Sequence, residues 1–193
     1  MNATVATPRT QSIWDIDPVH SNLDFSVRHL VISKVHGRFA RWSGSLTLDE
    51  VRPEDSRAEV RIEAASLDTH EPQRDAHLRS ADFFDTDKHP EIRFLSTRVE
   101  KSDEGHFVMT GDLTMAGVKR PVRIEIEVLG RTKDPWGGER IGFSGKTAVD
   151  RRDFGLLWNQ ALEAGGVVVG EKVEIEIEVE AVQRVEQPAS PAA

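Results

Sequence analysis

The chain has 193 residues, 38% of them hydrophobic and 30% charged, with 33 acidic against 25 basic side chains and a formal net charge of -8. That length builds one substantial core more readily than two, and the acidic balance gives no general attraction to nucleic acid or anionic membranes. The absence of cysteine excludes disulfides, thiolate chemistry and cysteine-ligated metal centres.

Residues 1–11 contain no apolar run of signal-peptide length and are expected to be flexible, as is the tail at 185–193, leaving one domain over 12–184. No segment approaches transmembrane length, and the chain is read as cytoplasmic. A short strand is expected near Trp14. From Asn22 to His29, Leu23, Phe25 and Val27 alternate with Asp24, Ser26 and Arg28, the period-two signature of a strand with one dry face. Further strands are predicted over Gly44 to Asp49 and over Arg57 to Ala64, where Ala58, Val60 and Ile62 share a face.

Between Asp68 and Phe84 the alternation stops. Asp68 or Thr69 is expected to cap a short helix with Glu71 and Pro72 in its first turn, and Ser80 a second before Phe83. The segment is too short and polar to cover a sheet but suits closing the end of a barrel. Strands resume at Ile92 to Val99, His106 to Met115, Val122 to Val128, Ile141 to Val149 and Val173 to Val179, with Gly105, Gly117, Gly137-Gly138 and Gly165-Gly166 marking turns. A further helix is predicted from Leu156 to Glu163, carrying Leu157, Trp158, Ala161 and Leu162. About eight antiparallel strands with one dry face fold into a sandwich or close into a barrel, and patterning alone does not choose.

The chemical residues form no recognised catalytic or metal spacing. The seven histidines include no HExxH pair. Ser21 beside His20 cannot form a triad by adjacency, no GxSxG elbow occurs, and the glycine-rich run ending at Gly170 lacks a phosphate-loop lysine and precedes a strand. Glu174, Glu176, Glu178 and Glu180 read as one solvent face that also discourages edge pairing. Arg151 with Arg152, and Arg38 with Arg41, read as solvated. An enzyme using His29, His77 or Asp17 as a base on a small apolar substrate, and a solid-barrel interaction module, stay open as alternatives.

Several segments, in order, resemble the YceI-like family, which shares its overall fold with lipocalins. They are WDIDPVHSNLDFSVRHLVISKVHGRFARWSGSLTLDE from Trp14, SLDTHEPQRDAHLRSADFFDTDKHPEIRF from Ser66, GDLTMAGVKRPVRIEI from Gly111, GFSGKTAVDRRDFGL from Gly142, and the last strand. The resemblance implies an all-β, eight-stranded antiparallel barrel with short helical connections and an internal apolar tunnel that takes up a polyisoprenoid or isoprenoid quinone. On that reading Phe25, Val27, Phe39, Leu46, Leu48, Val60, Ile62, Phe94, Met109, Leu113, Phe143 and Phe154 face the ligand or the core. Arg28, His29, Asp153 and Trp158 sit near an opening and meet the head. No catalytic residue, metal or cofactor is expected, and no nucleic-acid partner. A homodimer through a strand edge or the aromatic groups near Trp42 is left open.

Overall fold

The computed structural model describes residues 11–30, 32–161 and 168–184. The expected flexible ends at 1–10 and 185–193 and the Gly165-Gly166 turn lie outside them, while Gln11 already belongs to the first strand. The sheet has eleven strands in chain order: β1 (Gln11–Ile16), β2 (Asn22–His29), β3 (Ser33–Phe39), β4 (Trp42–Asp49), β5 (Arg57–Glu63), β6 (Leu67–Asp68), β7 (Glu91–Asp103), β8 (His106–Met115), β9 (Val118–Lys133), β10 (Glu139–Asp150) and β11 (Val169–Gln183). One α-helix, α1 (Pro72–Arg79), interrupts them.

All pairings are antiparallel, and the ring closes where β1 meets β11, Trp14 opposite Gln183. Eight staves result because the first three are each broken in two. β1 and β2 share β11 as neighbour, its end pairing β1 and its first two thirds pairing β2. β4 and β3 pair back onto β1 and β2, and β5 and β6 onto β4 and β3.

Buried serines carry the hydrogen bonding across these breaks. The Ser21 hydroxyl accepts from the Glu180 N–H at 3.0 Å, taking the place of a ladder carbonyl between β1 and β2. The Ser66 hydroxyl accepts from the Arg41 N–H at 3.1 Å and donates to the Glu63 carbonyl at 2.7 Å, joining the second and third breaks. Such groups could not be left unpaired in the wall at less than about 1–3 kcal/mol each.

Strand alternation is borne out: β2 and β8 run over the predicted residues. β3 was not predicted, and β7, β9 and β10 are longer than their apolar pattern. Their extra residues, such as Lys101 to Asp103 and Arg131 to Lys133, are exposed on both faces, so no dry face exists there to impose a period.

Two helix expectations need correction. In α1 the cap is Glu71, whose carboxylate accepts from the Gln73 N–H at 3.1 Å and the Arg74 N–H at 2.5 Å; Asp68 instead accepts from the His70 N–H at 2.9 Å. Pro72 presets the first helical φ. Ser80 ends α1, its hydroxyl donating to the His77 carbonyl at 2.7 Å, and starts no second helix. Residues 156–161 are not helical, and Leu162 and Glu163 lie outside the described residues. After the 3-10 turn Arg151–Phe154, the Arg151 guanidinium holds the carbonyls of Leu156 and Trp158 and the Asn159 side chain pairs with the Val169 backbone, so the segment is drawn along the start of β11 instead of coiling.

α1 sits where the wall is incomplete. β7 starts opposite Glu63, so β6 has no strand beyond it. Arg79 fixes the helix there, donating to the Ala65 carbonyl at 2.8 Å and the Leu67 carbonyl at 2.6 Å. Trp14, Phe154 and Leu67 are the largest fully buried side chains. Trp42, considered above for a dimer contact, is also buried in the core.

A two-chamber cavity inside the barrel

The inward faces of the strands do not fill the barrel. They leave an upper chamber of about 430 Å³ and a lower one of about 170 Å³, both bordered by Leu23, Ile62, Leu113 and Ile175, the neck where the two adjoin. A cavity of this kind has the size and apolar character of a small-molecule site.

Phe25, Val27, Arg28, His29, Phe39 and Trp158 line the upper chamber. Leu46, Leu48, Val60, Phe94, Met109 and Phe143 line the lower one, and Ile62 and Leu113 line both. Asp153 and Phe154 line neither. Phe154 is packed into the protein core at 2% exposure, and Asp153 is exposed beside it, because the 3-10 turn points one residue inward and its neighbour outward.

Alternation left out the residues that form the upper wall without being strand. Gln73, Arg74, His77 and Leu78 come from α1, Phe83 and Phe84 from the turn after it, and Leu156 from the segment after the 3-10 turn. Arg74 and Leu78, four apart, share a helical face, the one sequence signal for this wall. Aromatic contacts knit it together. Phe39 packs against Phe25 at 5.5 Å and edge-on against Phe84 at 6.0 Å. The His77 ring meets Trp158 edge-on at 4.7 Å and Phe83 at 5.1 Å.

The mouth carries the polar groups. Arg74 donates through Nε to the Thr69 hydroxyl at 2.7 Å and through Nη2 to the Thr69 carbonyl at 2.6 Å, while the Thr69 hydroxyl donates to Asp75 at 2.5 Å. Arg151, read above as solvated, is 4% exposed. Its guanidinium donates to the carbonyls of Gly170 and Trp158, both at 2.9 Å, and of Leu156 and Val169. Burial pulls it below the ordinary arginine value, opposed by Asp150 and Glu171. It ties the segment after the 3-10 turn to the start of β11. Arg152 is the solvated member, paired with Asp150 and Glu171.

The histidines do not assemble a catalytic group. His77 Nε2 lies 2.9 Å from an Asp82 carboxylate at the rim, and His20 Nδ1 lies 2.9 Å from Asp17 on another loop. The Ser21 hydroxyl is engaged with Glu180 and not with His20. Among the described residues, Asp17, His20 and Glu180 are close enough to share a metal ion. Arg140 occupies that place: its Nη1 donates to Asp17 at 3.0 Å and to Glu180, and its Nε donates to Asp134 at 2.9 Å. With His20 as the larger contributor and Arg140 beside it, the Asp17 carboxyl is lowered to about 2.

Comparison with known proteins agrees with this architecture. A UPF0312 protein of Photorhabdus laumondii is 44% identical over 154 residues, 80% of this chain and 79% of its own. The crystal structure of Burkholderia cenocepacia BcnA superimposes with a TM-score of 0.75 at 19% identity, over 86% of this chain and 98% of that one. A polyisoprenoid binding domain from Saccharophagus degradans superimposes with a TM-score of 0.66 at 14% identity, over 89% and 98%. The YceI-like domain matches residues 14–181, and with a barrel of this construction around a cavity able to take a hydrophobic ligand, the chain belongs to the YceI-like family.

Proposed function

We propose that the protein is a non-catalytic carrier of an isoprenoid lipid or isoprenoid quinone, its tail threaded through the neck into the lower chamber and its head held at the mouth. The observation that carries this reading is the pair of adjoining apolar chambers that share Leu23, Ile62, Leu113 and Ile175. A compact ligand would need one chamber, whereas a long, thin, flexible apolar chain uses both. Burial at about 25 cal/mol per Å² holds such a chain without many directed bonds. The lower chamber presents only carbon to its interior, so head-group recognition falls to the mouth, where Gln73, Arg74, His77 and Arg28 lie. The shared fold of the Saccharophagus polyisoprenoid binding domain supports the same class of ligand.

The test is organic extraction of natively purified protein followed by mass spectrometry, with thermal melting on addition of isoprenoids of graded length. Stoichiometric isoprenoid and a rise in Tm that grows with chain length up to the depth of the tunnel are expected, since a ligand selective for the folded form stabilises it. Protein that yields no lipid and melts unchanged with every isoprenoid would overturn the reading.

A further inference from the structure

We propose that Arg74 is the residue that selects the head of the bound lipid, and that it takes an uncharged head with a carbonyl oxygen, a quinone ring, in preference to a bare hydrocarbon or a diphosphate. This rests on the carrier reading for the tail, but the choice of head is read from separate observations.

The first is how the guanidinium is held. Asp75, 7% exposed, accepts from the Thr69 N–H at 3.0 Å and from the Thr69 hydroxyl at 2.5 Å. A carboxylate only accepts, so the hydroxyl hydrogen of Thr69, itself 3% exposed, is committed to Asp75 and its lone pairs are left for Arg74 Nε. With Nη2 on the Thr69 carbonyl, one edge of the planar group is fixed to buried partners. Two of the five N–H donors of a guanidinium are used in this way. Those on Nη1 and the remaining one on Nη2 have no partner among the described residues, and Arg74 borders the upper chamber. Donors oriented before binding lose little freedom when an acceptor arrives.

The second is charge. Asp75 answers the Arg74 charge through Thr69, Asp24 borders the same chamber as Arg28, and Asp82 stands on His77 at the rim. Arg151 is engaged with backbone carbonyls. Carboxylates therefore already match the cations around the chamber, and a diphosphate would add negative charge with no surplus cation to offset it. A carbonyl oxygen accepts from the same N–H groups and brings no charge.

The third is the surface beside those donors. A Cβ on Gly37 would meet both the tip of the Phe25 ring and the Thr69 methyl, so the ring and the residue that holds Arg74 adjoin there. Phe25, Phe39 and Phe84 continue from that point as an aromatic wall, against which a flat ring packs.

The experiment is titration of the full chain with a menaquinone, with the isoprenoid hydrocarbon of equal tail length, and with the isoprenyl diphosphate of that length. The native protein is expected to bind the quinone at least about tenfold more tightly than the hydrocarbon, the size of one hydrogen bond from a charged donor. The quinone carbonyl stretch should move to lower frequency on binding. Arg74→Met should still hold the hydrocarbon, bring the two affinities within about twofold and leave the carbonyl stretch near its free value. Thr69→Val, which keeps Arg74 but removes the hydroxyl that positions it, should fall between. Equal binding of quinone and hydrocarbon by the native protein would overturn the role of Arg74, as would an Arg74→Met variant that keeps the preference, and both leave the carrier reading standing. A diphosphate bound more tightly than the quinone would overturn the uncharged head. Native protein that binds neither the quinone nor the hydrocarbon would overturn the carrier reading, and the role of Arg74 with it.

Discussion

The upper and lower chambers share the same antiparallel strands but are closed in different ways. The lower chamber is walled by strand residues such as Val60, Phe94, Met109, Phe143 and Val179, with Ser56 from the turn before β5. The upper one lies beyond the start of β7, and α1, the turn carrying Phe83 and Phe84, and the segment bound by Arg151 complete its wall. A wall of helix and turns can place a guanidinium, an imidazole and an amide around an opening. The polar groups around the upper chamber come from both kinds of wall, Arg28 and His29 from the end of β2 and Gln73, Arg74 and His77 from α1.

The largest effect is expected where the chambers join. Leu113→Asp puts a carboxylate into the neck at a position 9% exposed, with no cation among the other neck residues Leu23, Ile62 and Ile175. It should cost about 3–5 kcal/mol of stability, or force the carboxyl to stay protonated, and abolish binding of long tails. Denaturant unfolding and ligand titration read the two effects separately. Leu113→Phe, which narrows the neck without charge, should retain short isoprenoids and exclude long ones; equal binding of both lengths would mean that the tail does not pass the neck. Glu176→Ala, on the exposed face of β11, serves as control and should change stability by less than about 0.5 kcal/mol.

Next in size is Arg151→Met, which keeps the apolar stem and removes the donors to four carbonyls. A loss of about 2–4 kcal/mol is expected, because those carbonyls lose a charged partner inside the wall. Hydrogen exchange should rise first over 156–160 and at the start of β11, and bound lipid should leave faster. Even protection across the barrel would show that the arginine is not what holds the mouth.

A smaller effect is expected from Gly37→Ala. A Cβ there would lie 2.4 Å from the tip of the Phe25 ring and 2.8 Å from the Thr69 methyl. The ring is the movable party, so it should swing into the upper chamber, with about 1 kcal/mol of strain and weaker binding of bulky heads. Tails that reach the lower chamber should keep most of their affinity. If small and bulky heads lose equally, the ring does not set the head-group space.

How much of this was legible in the sequence follows the same division. β2, β8 and β11 could be read because one face of each is dry, and the alternation of Phe25 and Val27 with Ser26 and Arg28 follows directly from that. The choice of barrel over sandwich was not readable from pattern; it depends on β1 reaching β11, across nearly the whole chain. The breaks at Ser21 and Ser66 left no signal, since a serine that replaces a ladder carbonyl looks like any turn serine. Arg151 was misread because its partners are backbone carbonyls, which no side-chain pattern announces, and its neighbour Arg152 is an ordinary solvated arginine. The resemblance put Asp153 near the head and left Phe154 to ligand or core, and the local 3-10 turn sends Asp153 outward and Phe154 into the core.

The smallest expected effect is the acid response of the end of the barrel where Arg140 bolts the loop at Asp17 to the hairpin at Asp134. The Asp17 carboxyl ordinarily titrates at 3.8 and is held at about 2 in the folded protein. Because the folded value is the lower one, the unfolded chain binds the extra proton between these two values, and stability rises with pH across that window. The contribution is fully present above 3.8 and is lost as pH falls through about 2. It should amount to about 1 kcal/mol, given that the group is only partly shielded from solvent. Asp17→Asn should remove that amount near neutral pH and flatten the corresponding part of the acid slope measured by urea unfolding. Asp134, whose carboxyl Arg140 also lowers, keeps part of the slope in the variant. The Arg151 clamp at the mouth holds carbonyls that do not titrate, so acid should loosen the 134–138 hairpin before the 156–160 segment in hydrogen exchange. The reverse order would mean that the mouth draws its stability from the Asp150 carboxyl, which Arg152 lowers to about 2, and not from the backbone contacts of Arg151.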